Sequence, residues 1–291
     1  MVDAPIVPTA PIVPCAPIVP NAPIVPNATD AYLSPPVLRA ARLLRHIAEG
    51  DTAANMSRTA RALGINRTTL LRLLHTLEAE RFIESRGEGQ GWKIGLGLIA
   101  LAGQAFFSDD LVQTGVAIAS TLADATGLSA HLGVLDGTEI VYLVRRTPNH
   151  AYASNIRVGS RLPAHATVMG RIIFAYMPWA AVEALYAGQP MPARTQHTPV
   201  TADQLHRRVE RDRDAGLAWS TGFFEAGISS VAAAVFDITG LPVAALNVTG
   251  QTAVFEAKRD RIADAISTAA EEMSRRLGWG GVIPGMLDAV A

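Results

Sequence analysis

The chain has 291 residues, 49% of them hydrophobic and 18% charged, and a formal net charge of -1. That length holds two domains and a sizeable core, while the near-neutral balance excludes a protein that coats nucleic acid by charge alone. The lone cysteine, Cys15, excludes an intrachain disulfide framework, and no apolar run approaches a membrane span, so a soluble cytoplasmic protein with no membrane partner is expected.

In chain order, the hexapeptide Ala-Pro-Ile-Val-Pro-X begins at Ala4, Ala10, Ala16 and Ala22. Two prolines in every six residues oppose helix and central strand, so residues 1–34 are expected to be an extended or disordered tail. A docking peptide is one reading of it; a tail from tandem duplication, or a start site placed too early, is the plainer one.

Residues 35–95 are expected to form one unit. Val37, Leu38, Ala41, Leu44 and Ile47 have the core-facing spacing of a helix ending near Gly50. Met56 to Ile83 then parses as two short helices around Gly64-Ile65-Asn66, with Asn66 as the cap of the second. Leu70, Leu73, Leu74 and Leu77 recur at i, i+3, i+4 and i+7 and define its buried face. Arg67, Thr68, Leu71, Arg72 and His75 take the opposite face, a mix suited to a groove floor and flanking phosphates. The bland alternative is an amphipathic hairpin with a solvated basic face. Phe82-Ile83-Glu84 and Trp92-Lys93-Ile94 read as short strands around a glycine-rich tip carrying Arg86, and three helices followed by a hairpin is the order of a winged helix. Arg67, Thr68, Thr69 and Arg72 on the helix and Arg86 on the wing are the candidate contacts to double-stranded DNA. Whether the arginines read guanine or hold phosphate stays open, as does a capping role for Thr69. From Pro36 to Gly95 there are ten Lys/Arg against six Asp/Glu, so positive charge concentrates where DNA would lie.

A linker helix is expected over 96–110, read from Leu96 to Phe107, with Ser108-Asp109 capping a helix from about Leu111 to Thr126. From there to 278 the pattern is mixed. Ser129–Leu135 and Glu139–Arg145 read as a hairpin joined at Asp136-Gly137, and Ala151–Val158 as a further strand. Helices are expected over Thr167–Met177, then a shorter one through Ala187, and over Thr201–Ala215. Strands follow at Ile228–Phe236 and Pro242–Val248, then one long helix over Val254–Leu277. A curved antiparallel sheet flanked by helices is a common small-molecule sensor, and residues 279–291 read as a tail.

Four blocks in order resemble the IclR family of bacterial transcriptional regulators over roughly Pro35 to Leu277. They are ARALGINRTTLLRLLHTLEAERFI with Trp92-Lys93-Ile94-Gly95; HLGVLDGTEIVYL from His131; Gly159 to Thr167 with Gly170-Arg171; and Gly227 to Ala233 followed by Ala244 to Gly250. The resemblance implies an α+β chain: an N-terminal winged helix–turn–helix, a linker helix and a C-terminal GAF-like α/β effector-binding domain. It also implies dimers, often paired into tetramers, on palindromic operators. Carried over residue by residue, it implies that the Val168 and Met169 amides receive an effector carboxylate, that Ser220 stands where keto-acid-binding members have an acid, and that Ser230 lies on the next strand. Asn247 and Thr249 share one side of the last strand by alternation. This chain departs from the family at Ser220–Glu225 and at Ser229, where an arginine is usual, which weakens any buried carboxylate clamp. Phe223 and Phe224 point either to an aromatic effector or to simple core filling.

An enzyme is poorly supported. There is no G-x-S-x-G elbow, and the seven histidines show neither an i, i+4 pair nor a cysteine at metal spacing, so no cofactor is expected. His131 on an apolar strand reads as a satisfied core residue and His165 as a group that orients its loop. The reading reached is an effector-controlled repressor of a catabolic operon; the alternative is a ligand-independent DNA-binding protein with a degenerate pocket.

Overall fold

A computed structural model describes residues 33–108, 110–148, 156–222 and 224–282. The chain divides into two compact units, Met1–Leu101 and Ala102–Ala291. The repeat tail, the end of the C-terminal tail and Phe223 lie outside the described residues.

The first unit comprises α1 (Pro35–Ala48), α2 (Met56–Ala62), α3 (Arg67–Ala79), β1 (Ile83–Ser85) and β2 (Trp92–Ile94). Leu43, Ile47, Leu70, Leu74, Leu77 and Ile83 form its core, with Leu73 packed at the edge. Gly64 takes φ 64°, a left-handed conformation that glycine adopts without a Cβ penalty, and this turns the chain between α2 and α3. β1 and β2 pair antiparallel, Ile83 opposite Ile94. The Trp92 amide also donates to the Thr52 carbonyl at 2.7 Å, which pins the wing base to the loop before α2.

The division between units falls within α4 (Leu96–Ser108), and α5 (Asp110–Thr126) starts one residue earlier than its spacing predicts; Asp109, half of the expected cap, lies outside the described residues. The second unit is built on an antiparallel sheet in the order β5-β4-β3-β8-β7-β6. Its strands are β3 (Ser129–Asp136), β4 (Glu139–Arg146), β5 (Arg161–Pro163), β6 (Ala218–Thr221), β7 (Ile228–Phe236) and β8 (Pro242–Gln251). Period-2 alternation sorts the faces. Val231, Ala233, Val235, Ala244, Leu246 and Val248 pack against α5 and α10 (Arg259–Arg276). Ala232, Ala234, Phe236 and Ala245 pack on the other face with α6 (Val168–Phe174), α7 (Trp179–Tyr186) and α8 (Ala202–Ala215).

One irregularity moves a side chain the site needs. Leu132 pairs with Val144, but Gly133 pairs with Tyr142, so Leu143 is an extra residue in β4. Such a bulge breaks alternation. Val144 therefore faces α5, while Tyr142 and Ile140, which share its parity, face α6.

Four expectations need correction, the first on α1, where Val37 is exposed and Leu43, outside the expected stripe, is fully buried. Residues 151–155 of the expected Ala151–Val158 strand lie outside the described residues, and 156–158 lead into a turn closed by the Ser160 amide on the Arg157 carbonyl; the pairing strand is β5, three residues later. The Thr167–Met177 helix stops at Phe174, where Pro178 three residues beyond the C-cap disfavours continuation. The Val254–Leu277 helix is two, α9 (Thr252–Glu256) and α10, because Lys258 leaves helical geometry at φ -125° and ψ 16°. The Lys258 ammonium there donates to the Thr126 carbonyl at the end of α5, a tertiary contact invisible to helical periodicity.

Candidate DNA-binding face and effector cavity

α3 starts where its cap dictates. The Asn66 side chain accepts from the Thr69 amide at 2.7 Å, satisfying a donor that has no partner within the helix. With Leu70, Leu74 and Leu77 buried, Arg67, Thr68, Leu71, Arg72 and His75 are exposed together, and Leu71 keeps 46% of its surface in water. Thr69 differs: it is half-buried and its amide receives the cap, so it stands at the edge of this face. Arg86 is exposed on the wing, where its amide donates to the Gly91 carbonyl at 2.8 Å. Gly87, Gly89 and Gly91 all have positive φ, so the tip is a glycine-built turn. Glu84 fixes the wing at two points: it accepts from the Leu96 amide at the start of α4 at 2.9 Å and pairs with Lys93 of β2 at 3.1 Å. These bonds hold the Glu84 carboxyl below its ordinary value.

In the second unit a cavity of about 50 Å³ opens on the α6 side of the sheet. Val168, Ser220, Ser230, Asn247 and Thr249, five of the seven sequence-derived candidates, line it together. Met169 does not: its side chain is fully buried in the core, its methyl against Gly133, where a Cβ would collide with it. Phe223 lies outside the described residues, and its neighbour Phe224 is the ring on the cavity wall. Tyr142, Leu162, Ala166, Thr167 and Ile228 complete much of the rest. Tyr142 and Ile228 stood within family-like blocks, but nothing in their spacing marked them as lining residues. Glu225 is the one charged residue in the described lining.

The α6 end of the cavity is tightly built. Thr167 caps α6 by accepting from the Gly170 amide at 3.0 Å, and its hydroxyl donates to the Ala164 carbonyl at 3.3 Å. Gly170 is needed because any Cβ there would drive into the Ala164 backbone. His165 is buried with its Nε2 at 3.1 Å from the Pro192 carbonyl, while its amide donates to the Tyr186 hydroxyl at 3.0 Å. Burial, helped by the Arg194 charge, pushes the imidazole below its ordinary value, so at neutral pH His165 is an uncharged strut for the loop.

Arg171 ties three elements together from inside. It is 1% exposed, donates from Nε to Asp212 of α8 at 2.7 Å and from Nη2 to the Trp219 carbonyl of β6 at 2.6 Å. Burial raises the Asp212 carboxyl above its ordinary value, against the pull of the Arg171 charge. On β6, Ser220 faces the cavity while the Trp219 ring turns to the opposite side, under the Arg259 guanidinium at 4.0 Å. Over the β6–β7 connection, Thr195 donates to the Gly222 carbonyl at 2.7 Å and the Arg194 guanidinium sits 5.5 Å from the Phe224 ring centre. Among the described residues no cluster of His, Cys, Asp and Glu is arranged to hold a metal ion, and no helix is long and apolar enough to cross a membrane.

Residues 104–275 match the family model for the bacterial transcriptional regulator IclR C-terminal domain, and residues 36–87 match that for the IclR helix-turn-helix domain. The glycerol operon regulatory protein of Streptomyces coelicolor is 31% identical over 247 residues, 83% of this chain and 96% of its own length. The crystal structure of an IclR regulator from Alicyclobacillus acidocaldarius superposes with a TM-score of 0.77 at 26% identity, covering 85% of this chain and all of that one. An IclR homologue from Microbacterium hydrocarbonoxydans, solved in complex with 4-hydroxybenzoate, shares the fold with a TM-score of 0.74 at 22% identity, covering 83% of this chain and 98% of its own.

Proposed function

Because the chain belongs to the IclR family of bacterial transcriptional regulators, whose members are DNA-binding regulators and not enzymes, we propose that it is a repressor of a catabolic operon controlled by a small aromatic effector. Its domain plan is a winged helix over 35–95, a linker helix over 96–110 and an effector-binding domain over 111–278. Arg67, Thr68, Arg72 and Arg86, with Thr69 at the edge, meet double-stranded operator DNA, α3 entering the major groove and the wing following the backbone. Repression fits because releasing an operator requires no surface for polymerase.

The observation that carries the effector reading is the convergence of Val168, Ser220, Ser230, Asn247 and Thr249 on one cavity beneath Tyr142 and Phe224. Its aromatic walls, and the 4-hydroxybenzoate bound by the Microbacterium homologue, support a ring-bearing ligand. At about 50 Å³ it is smaller than the roughly 150 Å³ of an engineered cavity that admits benzene, so ring entry requires the cavity to widen. The working form is a homodimer or tetramer, supported by α4, which has no charged residue and exposes Leu96, Ile99 and Leu101 to water.

A thermal-shift screen of the full-length protein tests the effector reading. Aromatic compounds are expected to raise the melting temperature while pyruvate and glyoxylate leave it unchanged. The reverse pattern overturns the aromatic assignment, and stabilisation by no compound favours a ligand-independent regulator with a degenerate pocket, a reading that draws on the small cavity volume.

A further inference from the structure

The hydrogens of the polar groups on the sheet wall of the cavity can be assigned from the backbone carbonyls that hold them. Thr249 Oγ1 lies 3.2 Å from the Ser229 carbonyl, which only accepts, so the threonine hydrogen is committed to it. The Ser230 hydroxyl, 2.9 Å from Thr249 Oγ1, must then be the donor of that pair. The same logic fixes the Asn247 amide. One end lies 3.2 Å from the Val231 carbonyl and 3.4 Å from the Val248 carbonyl, so it is the NH2 end. Asn247 Oδ1 therefore faces His131 Nδ1 at 3.1 Å, and the imidazole carries its hydrogen on Nδ1. His131 Nε2 is left as a bare lone pair, and it is buried with no partner.

His131 stands behind the wall between two lining residues: it bonds Asn247 on one side and meets the Tyr142 ring edge-on at 5.5 Å on the other. Burial and the nearby Arg145 charge hold it neutral, with its pKa down to about 4, so it stays an acceptor at ordinary pH. Ser230 and Thr249 thus have their hydrogens held within the wall and keep oxygen lone pairs that the wall leaves unused, while Asn247 turns its Oδ1 to His131 behind it.

We propose that the effector of this protein presents a neutral hydrogen-bond donor, an alcoholic or phenolic hydroxyl, to Ser230 and Thr249, and that the β7–β8 wall rejects carboxylates. This rests on the reading of the cavity as the effector site and names the chemical group that site selects. A hydroxyl gives its hydrogen to the wall and can accept from Tyr142 or Ser220, which line the same cavity and whose hydroxyl hydrogens can rotate. A carboxylate or an ether oxygen at the same place meets lone pair against lone pair, and a buried polar group left unpaired is costly.

The test measures calorimetric affinities of the full-length protein for three matched probes: phenol, its methyl ether anisole, and benzoate. Phenol is expected to bind at least about tenfold tighter than anisole, with benzoate weakest, as expected where a hydrogen bond is satisfied in one ligand and orphaned in the other. Thr249→Val keeps the side-chain shape, removes one acceptor and frees the Ser230 hydrogen to point into the cavity. The phenol preference should collapse in that variant and anisole should gain; Ser230→Ala, which removes an acceptor without touching Thr249, serves if Thr249→Val does not fold. Equal affinities for phenol and anisole, tighter benzoate, or a preference unchanged in both variants would overturn the proposal. Ser220→Phe separates that failure from failure of the cavity reading: it fills the cavity and should abolish all binding. Probes that bind it as well as wild type, or that bind neither protein, overturn the cavity reading and this proposal with it.

Discussion

The proposed DNA face and the proposed effector cavity place polar side chains in opposite ways. On α3 the proposed DNA contacts stand in water, and only the Asn66 cap and the leucine stripe beneath them are structural. In the second unit the polar groups of the β7–β8 wall are also part of the scaffold: Thr249 bonds β7 and Asn247 bonds β7 and β3, while Arg171, outside the lining, joins α6, α8 and β6. A surface that reads a rigid external polymer can keep function and stability on separate residues. A buried site cannot, because a buried polar group must be satisfied by the fold or by the ligand. Substitutions should therefore cost stability in the cavity unit and binding on α3.

The largest effect is expected at Arg171. Arg171→Ala takes from buried Asp212 its hydrogen-bonded partner and leaves only the more distant Arg208 and Arg211 charges, and a broken buried pair typically costs about 3–5 kcal/mol in urea unfolding. The double replacement Arg171→Met with Asp212→Leu should recover most of that loss; no recovery would mean that the contact to Trp219, and not the charge pair, carries the stability.

Next in size is a pH effect at His131. The folded ring titrates at about 4 in place of its ordinary 6.5. Below pH 6.5 the unfolded chain gains a proton that the folded ring refuses. Stability is therefore full above pH 6.5 and declines as pH falls towards 4, by about 3 kcal/mol over that window. Denaturation midpoints at about pH 7.5 and 4.5 should differ clearly in wild type and much less in His131→Gln.

Smaller changes belong to the DNA face. Arg72→Ala should weaken operator binding roughly tenfold in an anisotropy titration and leave the melting temperature unmoved. An unchanged affinity at moderate salt would remove Arg72 from the contact set. Asn66→Ala crosses the divide, because it removes a cap and no DNA contact: about 1 kcal/mol of stability should be lost.

The same contrast decides what could be read from the sequence. α3 was legible because its determinants are local: the i, i+3, i+4 leucines, the Asn66 cap and the left-handed Gly64 lie within about fifteen residues. The common side of Asn247 and Thr249 was equally legible, since strict alternation along β8 puts both on the cavity. Tyr142 was not, because the Leu143 bulge moves it off the face that Val144 occupies, and a bulge leaves no mark on hydrophobic periodicity. β5 and β6, three and four residues long, are too short to show a period, so Ser220 could be placed only through the family resemblance. The Met169 side chain was not legible either: it enters the core because of the space left by Gly133, far away in sequence, so the expectation for this residue rests on its backbone amide alone.

The most direct test of the central claim is a mobility shift of the full-length protein on the intergenic DNA beside its own gene, run with and without phenol, its ring-substituted relatives and pyruvate. The account predicts a sequence-specific complex, weakened in Arg72→Ala, that a hydroxyl-bearing aromatic releases and pyruvate leaves intact. A specific complex that no aromatic alters would contradict the effector assignment, and the absence of any specific complex across salt concentrations would contradict the DNA face itself.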